Sequence, residues 1–186
     1  MDGGDVSILI IIGIILALIL VISLLTWIIG VIRSKISLTL KPDGDSKGKA
    51  IIVYDPGMTS GTKNAAFYIG DELKSRGFEV KLAGVRSSDA LDLSGADILV
   101  VGSPTYGAQP TGPVKTYLNN LQSPENIIAG VFTLAGAPTQ DSNVIIANNL
   151  ENKSIPVKVS TKYGASAISA PSDKNIYSEF VSELLG

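Results

Sequence analysis

The chain contains no cysteine and no histidine. The first absence removes thiol redox chemistry and disulfides, and fits a reducing compartment without establishing one. The second removes histidine-based acid–base catalysis, and the two together remove the usual zinc ligand sets. Strong net charge is also lacking. A balance of −2 over 186 residues is too small to suggest nucleic-acid binding, and no basic patch interleaved with aromatics appears in the globular part. Charge is missing altogether from Val6 to Ile32, and no lysine or arginine precedes that run.

About 20 apolar residues cross a bilayer, so Val6–Ile32 reads as a transmembrane helix with some tilt. A signal peptide is the rival reading. It requires a basic start, a shorter apolar core and a small-residue cleavage site, whereas this start carries Asp2 and Asp5 and no such site follows. Arg33, Lys35, Lys41, Lys47 and Lys49 lie just after the run. The positive-inside rule therefore predicts a single-pass protein of the cell membrane, with residues 1–5 outside and the rest of the chain in the cytoplasm. Trp27 falls near the inner end, where an indole lies at headgroup level. Gly13 and Ala17 form a small-xxx-small pair, but small residues are common in any such helix.

Residues 33–48 read as a basic, flexible linker. Their second half, KPDGDSKG, has turn formers and no apolar period, and its lysines can meet anionic headgroups. The first half, ISLTL, alternates and reads either as a short strand or as more helix.

From 49 to 186 the pattern is β-α-β-α. Strands are expected at about Ala50–Asp55, Phe78–Leu82, Ile98–Val101, Ile127–Leu134 and Ile155–Val159, the last with an extension to about Tyr163. Phe78–Leu82 alternates as a half-buried edge strand does. Helices are expected at Thr62–Arg76, Pro113–Leu121, Ser142–Leu150 and Ser172–Leu185, with a short capped turn over Ser88–Leu93. Five strands alternating with helices predict a parallel, doubly wound α/β sheet, which binds ligands beyond the carboxyl ends of its strands.

Three loops lie at those ends. The first follows Ile51-Ile52-Val53-Tyr54: Asp55-Pro56-Gly57 stops the strand, then Met58, Thr59, Ser60, Gly61 and Thr62 lead into a helix. Strand, small polar turn and helix N-terminus is the layout that cradles a phosphate. It equally describes a plain βα turn capped by Ser and Thr. A Walker A loop is excluded, because Lys63 follows the hydroxyl of Thr62 instead of preceding it. The dinucleotide fingerprint is excluded by glycine number and spacing. The second loop, Gly102 to Pro110, displays Tyr106 between Thr105 and Gly107, a placement suited either to stacking on a planar ligand or to an ordinary surface. The third, Ala135-Gly136-Ala137-Pro138-Thr139-Gln140-Asp141, exposes main-chain groups able to read a heterocycle edge.

Taken together, the three loops resemble those of the flavodoxin family, over Lys49 to the C-terminus and not in the anchor. Gly57 to Thr62 aligns with the family's Ser/Thr-x-Thr-Gly-x-Thr phosphate loop. Gly57 stands where a hydroxyl is usual and Ser60 where glycine is usual, and Ala66 matches the small residue that follows. GSPTYG is the stronger match. The resemblance implies strand order 2-1-3-4-5 and FMN as cofactor. Met58, Thr59, Ser60, Gly61 and Thr62 would hold the phosphate. Pro104, Thr105, Tyr106 and Gly107 would lie on the flavin ring, and Ala135, Gly136 and Ala137 along its pyrimidine edge. This stretch leaves no room for the insertion of long-chain members, and it is nearly charge-balanced where many flavodoxins are acidic.

The leading expectation is a membrane-tethered FMN protein acting in electron transfer. Its partners are membrane lipid through residues 6–32 and a redox protein or quinone, with no metal and no nucleic acid. Two alternatives stand beside it: an FMN-dependent, quinone-type oxidoreductase, and a non-catalytic module of the same fold that binds flavin weakly or not at all. No side chain reads as a dedicated acid or base, which suits a carrier.

Overall fold

The structure is a computed structural model, and it describes residues 3–122, 126–136, 141–164 and 170–186. The N-terminal helix α1 (Gly3–Arg33) includes a 26-residue stretch, Ile8–Arg33, whose most apolar 18-residue window has a mean hydropathy of 3.5 and no residue buried in the protein. At 1.5 Å per residue that stretch is about 39 Å long, against a hydrocarbon thickness of about 30 Å. It is long and apolar enough to cross a membrane. Apolar residues occupy every face, so no stripe is reserved for a protein core.

The remaining elements are β1 (Ser37–Leu40), β2 (Gly48–Tyr54), α2 (Gly61–Ser75), β3 (Phe78–Gly84), β4 (Ile98–Tyr106), β5 (Gln109–Pro110), α3 (Gly112–Asn120), β6 (Ile128–Ala135), α4 (Ser142–Glu151), β7 (Val157–Gly164) and α5 (Asn175–Leu185). A short 3₁₀ turn spans Ser88–Leu91. The sheet order is β1-β3-β2-β4-β6-β7, with β5 paired to β4. The pairs from β3 through β7 are parallel, and β1 and β5 add antiparallel pairings. Without those two additions the order is the expected 2-1-3-4-5.

Alternation along β2 builds two cores. Ala50, Ile52 and Tyr54 pack with α2 and α5, and Ile51 and Val53 pack with α3 and α4. A strand covered on both faces needs apolar residues at every position, which is why IIVY is continuous.

Three expectations change. Among the described residues the sheet has seven strands: the five expected parallel ones and two antiparallel additions. ISLTL contributes an antiparallel edge strand, β1, so Phe78–Gly84 is not an edge. The third expected strand does not stop at Val101. β4 runs on through Ser103-Pro104-Thr105-Tyr106, and Gly107-Ala108 turns it back into β5, both residues with φ near +60°. Two consecutive positive φ angles make the tight hairpin turn that matches strand twist. What reads as a Pro/Gly loop is a β-hairpin.

Residues 33–48, expected as a flexible linker, are hydrogen-bonded to the sheet at both ends. Ser34 is fully buried. Its carbonyl accepts from the Arg86 amide at 2.8 Å, its hydroxyl accepts from the Arg86 guanidinium at 3.2 Å, and the Gly84 amide donates to Ile36 at 2.8 Å. At the other end the Lys47 amide donates to Gly77 and the Glu79 amide to the Ser46 hydroxyl. Helix α1 therefore joins the domain through a clamp at the carboxyl end of β3.

Candidate functional site

Chain order places the loops. From β2 the chain moves to β3 on one side and then crosses to β4 on the other, which makes the carboxyl ends of β2 and β4 the switch point. Tyr54 pairs with Gly102 and Pro104 with Leu134, so the three loops leave neighbouring strands.

Asp55 organises the first loop. It is 7% exposed; one carboxylate oxygen accepts from the Gly57 amide at 3.1 Å and the other from the Thr111 hydroxyl at 2.6 Å. The first bond closes an Asx turn ahead of Gly57, and the second ties that turn to the chain leaving the hairpin. Sequence reading treated Asp55 as part of a strand stop. The D-P-G order was a local signal for the turn, but Thr111 lies 56 residues away. Gly57 has φ +63°, and a Cβ there would lie 2.8 Å from Pro104 Cγ and 3.0 Å from the Tyr106 hydroxyl. Loops one and two are thus in contact at a position that requires glycine on both counts.

Loop one then enters α2. Gly61 and Thr62 are buried, Thr62 at 2% exposure, while Met58 and Ser60 are exposed and Thr59 is half-buried. Ser60 is the N-cap residue, yet its side chain makes no capping bond, and the Gly61 amide reaches the Thr59 hydroxyl only at 3.4 Å. The hydroxyls of Ser60 and Thr62 make no hydrogen bond among the described residues. The first-turn amides of α2 have no partner within the helix. That donor set of hydroxyls and amides at the positive end of a helix fits a phosphate. Lys63 is not aimed into it; its Nζ lies over the Phe67 ring, 5.4 Å from the centroid.

Loop two contributes Tyr106, 46% exposed at the end of β4, whose hydroxyl accepts from the Met58 amide at 3.3 Å. Pro104 is buried against Gly57, and Gly107 is in the turn. Thr105 is directed elsewhere: it is 7% exposed and its hydroxyl is hydrogen-bonded to that of Ser142 at the start of α4. In loop three, Ala135 is buried at the end of β6 and Gly136 is exposed. Ala137 lies outside the described residues. The structure therefore joins Gly57, Met58, Pro104 and Tyr106 in direct contact, sets Thr59 to Thr62 beside them, and places Ala135 one strand away. Arg86 and Asp55, not singled out from sequence, also border this end of the sheet.

No protein-family model matches the chain, and no curated protein sequence is similar to it. Solved structures do match. A flavodoxin from the domain Archaea is 19% identical with TM-score 0.62, over 74% of this chain and 99% of that one. Flavodoxin 2 from Bacillus cereus is 22% identical with TM-score 0.60, over 74% and 97%. The rubredoxin oxygen:oxidoreductase from Desulfovibrio gigas is 19% identical with TM-score 0.62, over 75% of this chain but 36% of that one. The chain has a flavodoxin-like fold preceded by one apolar helix.

Proposed function

We propose that this chain is a membrane-tethered FMN protein that acts in electron transfer. The observation carrying the reading is the contact of two loops at the switch point: a hydroxyl-and-amide cradle at the start of α2, bridged through Met58 to the one aromatic, Tyr106, in the strand-end loops. FMN supplies the redox chemistry when bound, and the protein binds it and tunes its potential. Thr59, Ser60 and Thr62, with the first amides of α2, would hold the phosphate. Tyr106 would pack against the ring, while Pro104 and Gly107 fix the hairpin that carries it. Ala135, Gly136 and Ala137 would line the pyrimidine edge.

The tether is α1. Its length, its uniform apolarity and the basic residues after it support a single span with the domain in the cytoplasm. The deciding experiment is the visible absorption of the purified full-length protein reconstituted with FMN. A flavin spectrum that returns to that of free FMN on denaturation is expected. A protein that stays colourless with excess FMN would leave a flavodoxin-like fold without its cofactor and end this reading.

A further inference from the structure

A pocket of about 490 Å³ lies between helix α3 and the crossover from β3 to β4. A crossover between parallel strands usually carries a helix. Here residues 85–97 hold only the 3₁₀ turn Ser88–Leu91, which leaves one flank of α3 uncovered. The crossover contributes Arg86, Ser87 and Leu91 to the lining, and α3 contributes Pro113, Thr116 and Tyr117, whose spacing of three and four puts them on one helix face. None of the residues proposed to hold FMN lines it. We propose that this pocket binds a phosphate group, at a site distinct from the one proposed for FMN and independent of that reading.

Two buried hydroxyls at this pocket, those of Ser87 and Tyr117, have no hydrogen-bond partner among the described residues. Tyr117 is 3% exposed, and burial pushes its phenol up, so it keeps its proton and can donate. Ser87 stands as the N-cap of the 3₁₀ turn, yet its side chain makes no capping bond. Buried polar groups are nearly always paired, so two orphans at one pocket call for a partner from outside the chain. The hydroxyls donate or accept and do not set the sign of that partner. Arg86 does, as the one charged side chain among the described lining residues. Its guanidinium donates to the Ser34 hydroxyl, and no carboxylate pairs with it among the described residues. Helix α3 starts at the same pocket with Gly112, and its N-cap Thr111 supplies no side-chain cap because that hydroxyl donates to Asp55. Guanidinium and helix start both favour an anion. A flat carboxylate spends its two oxygens on the guanidinium. A tetrahedral phosphate brings further oxygens for the Ser87 and Tyr117 hydroxyls. That phosphate has two possible sources, a soluble phosphate ester or a lipid headgroup. The second arises because Arg86 is bonded to Ser34, the residue just past α1.

The test follows amide hydrogen exchange of flavin-free, full-length protein in dodecyl maltoside, a phosphate-free detergent. Inorganic phosphate is titrated against chloride at matched ionic strength. Saturable protection of residues 85–92 and 112–121 is expected, and Thr62→Ala in the other phosphate turn should leave it unchanged. Tyr117→Phe and Ser87→Ala remove hydroxyls that have no internal partner. Each should leave the thermal midpoint without phosphate unchanged or higher, and each should weaken phosphate by about tenfold, the effect of losing a hydrogen bond to a charged group. Arg86→Gln should lose saturation. Glycerol 3-phosphate and micelle-borne phosphatidic acid are then compared, and the one that protects at lower concentration identifies the source as soluble or lipid. No protection at these segments, or equal protection in the parent and all three variants, would mean a water-filled pocket or an adventitious ion only, and would overturn the proposal. A lowered midpoint in phosphate-free Tyr117→Phe and Ser87→Ala would show that both hydroxyls serve the fold, and would overturn it as well. Because the titration uses flavin-free protein, its failure is separate from failure of the flavin spectrum.

Discussion

The Tyr106 hydroxyl accepts a hydrogen bond from the Met58 amide, joining the end of β4 to the turn before α2 across 48 residues of chain. The same hydroxyl would lie 3.0 Å from a Cβ at position 57, so the ring rests against the glycine turn. On the proposed reading this one side chain both closes the phosphate turn and packs on the flavin. The two roles separate by substitution. Tyr106→Phe keeps the ring and loses the bond to Met58; Tyr106→Ala loses both. Offset stacking adds about 0.5–1.5 kcal/mol, so Tyr106→Ala should weaken oxidised FMN by roughly tenfold, measured by flavin fluorescence. Tyr106→Phe should fall between the two, and Tyr106→Trp should preserve binding. Stacking favours the neutral oxidised ring over the electron-rich reduced anion, so Tyr106→Ala should also raise the midpoint potential. Affinity and potential both unchanged in Tyr106→Ala would remove this residue from the site.

Thr62 tests the other half. Its side chain is buried in the first turn of α2, and its hydroxyl has no hydrogen bond among the described residues. A hydrogen bond to a charged phosphate contributes about 1.5–3 kcal/mol. Thr62→Ala should therefore weaken FMN by about tenfold or more and leave riboflavin, which lacks the phosphate, nearly unchanged. Equal losses for the two ligands would show that this turn does not hold the phosphate.

The proposed orientation of α1 rests on Arg33 in its last turn and Lys35, Lys41, Lys47 and Lys49 beyond it, while no basic side chain precedes its apolar run. Protease added to intact cells should leave the domain uncut and digest it only after lysis. Cleavage within 49–186 in intact cells would reverse the assignment.

The alternation of elements was legible because β2 and β4 each carry a short apolar, β-branched-rich run and the helices repeat apolar residues at three and four. Ile51 to Tyr54 and Ile98 to Val101 gave themselves away because both faces of these strands are buried. What escaped depends on partners distant in sequence. β1 is four residues with mostly exposed side chains, and its pairing with β3 determines its state more than its composition does. The β4–β5 hairpin was hidden by Pro104 and Pro110, which mark loops in most contexts but here occupy strand positions. Of the site, the hydroxyl-rich turn and Tyr106 were readable as local patterns. The Asp55–Thr111 and Arg86–Ser34 bonds were not, since no local pattern links those residues.

Alkaline titration probes the core behind the site. Burial pushes the Tyr177 phenol up to about 12, and its hydroxyl donates to the Pro171 carbonyl at 3.0 Å. Burial raises the neighbouring Tyr163 as well. A phenol whose folded value lies above its unfolded value of about 10 favours the fold fully below pH ~10, and that contribution falls as pH rises towards the folded value. The thermal midpoint of the detergent-solubilised protein should be flat with respect to these groups below pH ~10 and decline above it. Tyr177→Phe should lower the midpoint at neutral pH and flatten the alkaline decline. An unchanged alkaline slope in that variant would show that Tyr177 does not titrate in this window.

The clamp between α1 and the domain makes the sharpest structural prediction. Gly84 ends β3, and a Cβ there would lie 2.4 Å from the Ser34 carbonyl oxygen and 2.6 Å from its carbon. Both are backbone atoms of a buried residue, so no side-chain rotation relieves the contact, and the junction itself must move. Gly84→Ala should therefore loosen the Ser34–Arg86 and Ile36–Gly84 bonds while leaving the parallel sheet and the Asp55–Thr111 tie in place. The absence of native cysteine allows a clean measurement. Gly30→Cys on α1 and Gly112→Cys at the start of α3 line the same cleft, and a Cβ at either site meets no atom within 4 Å. A short bis-maleimide should join the two efficiently in the otherwise unaltered protein, and severalfold less in the Gly84→Ala background. FMN binding should persist in both, because none of the residues proposed to hold FMN belongs to the clamp. Equal cross-linking with and without Gly84→Ala would mean that α1 is held against the loops by something other than this junction, or not held at all.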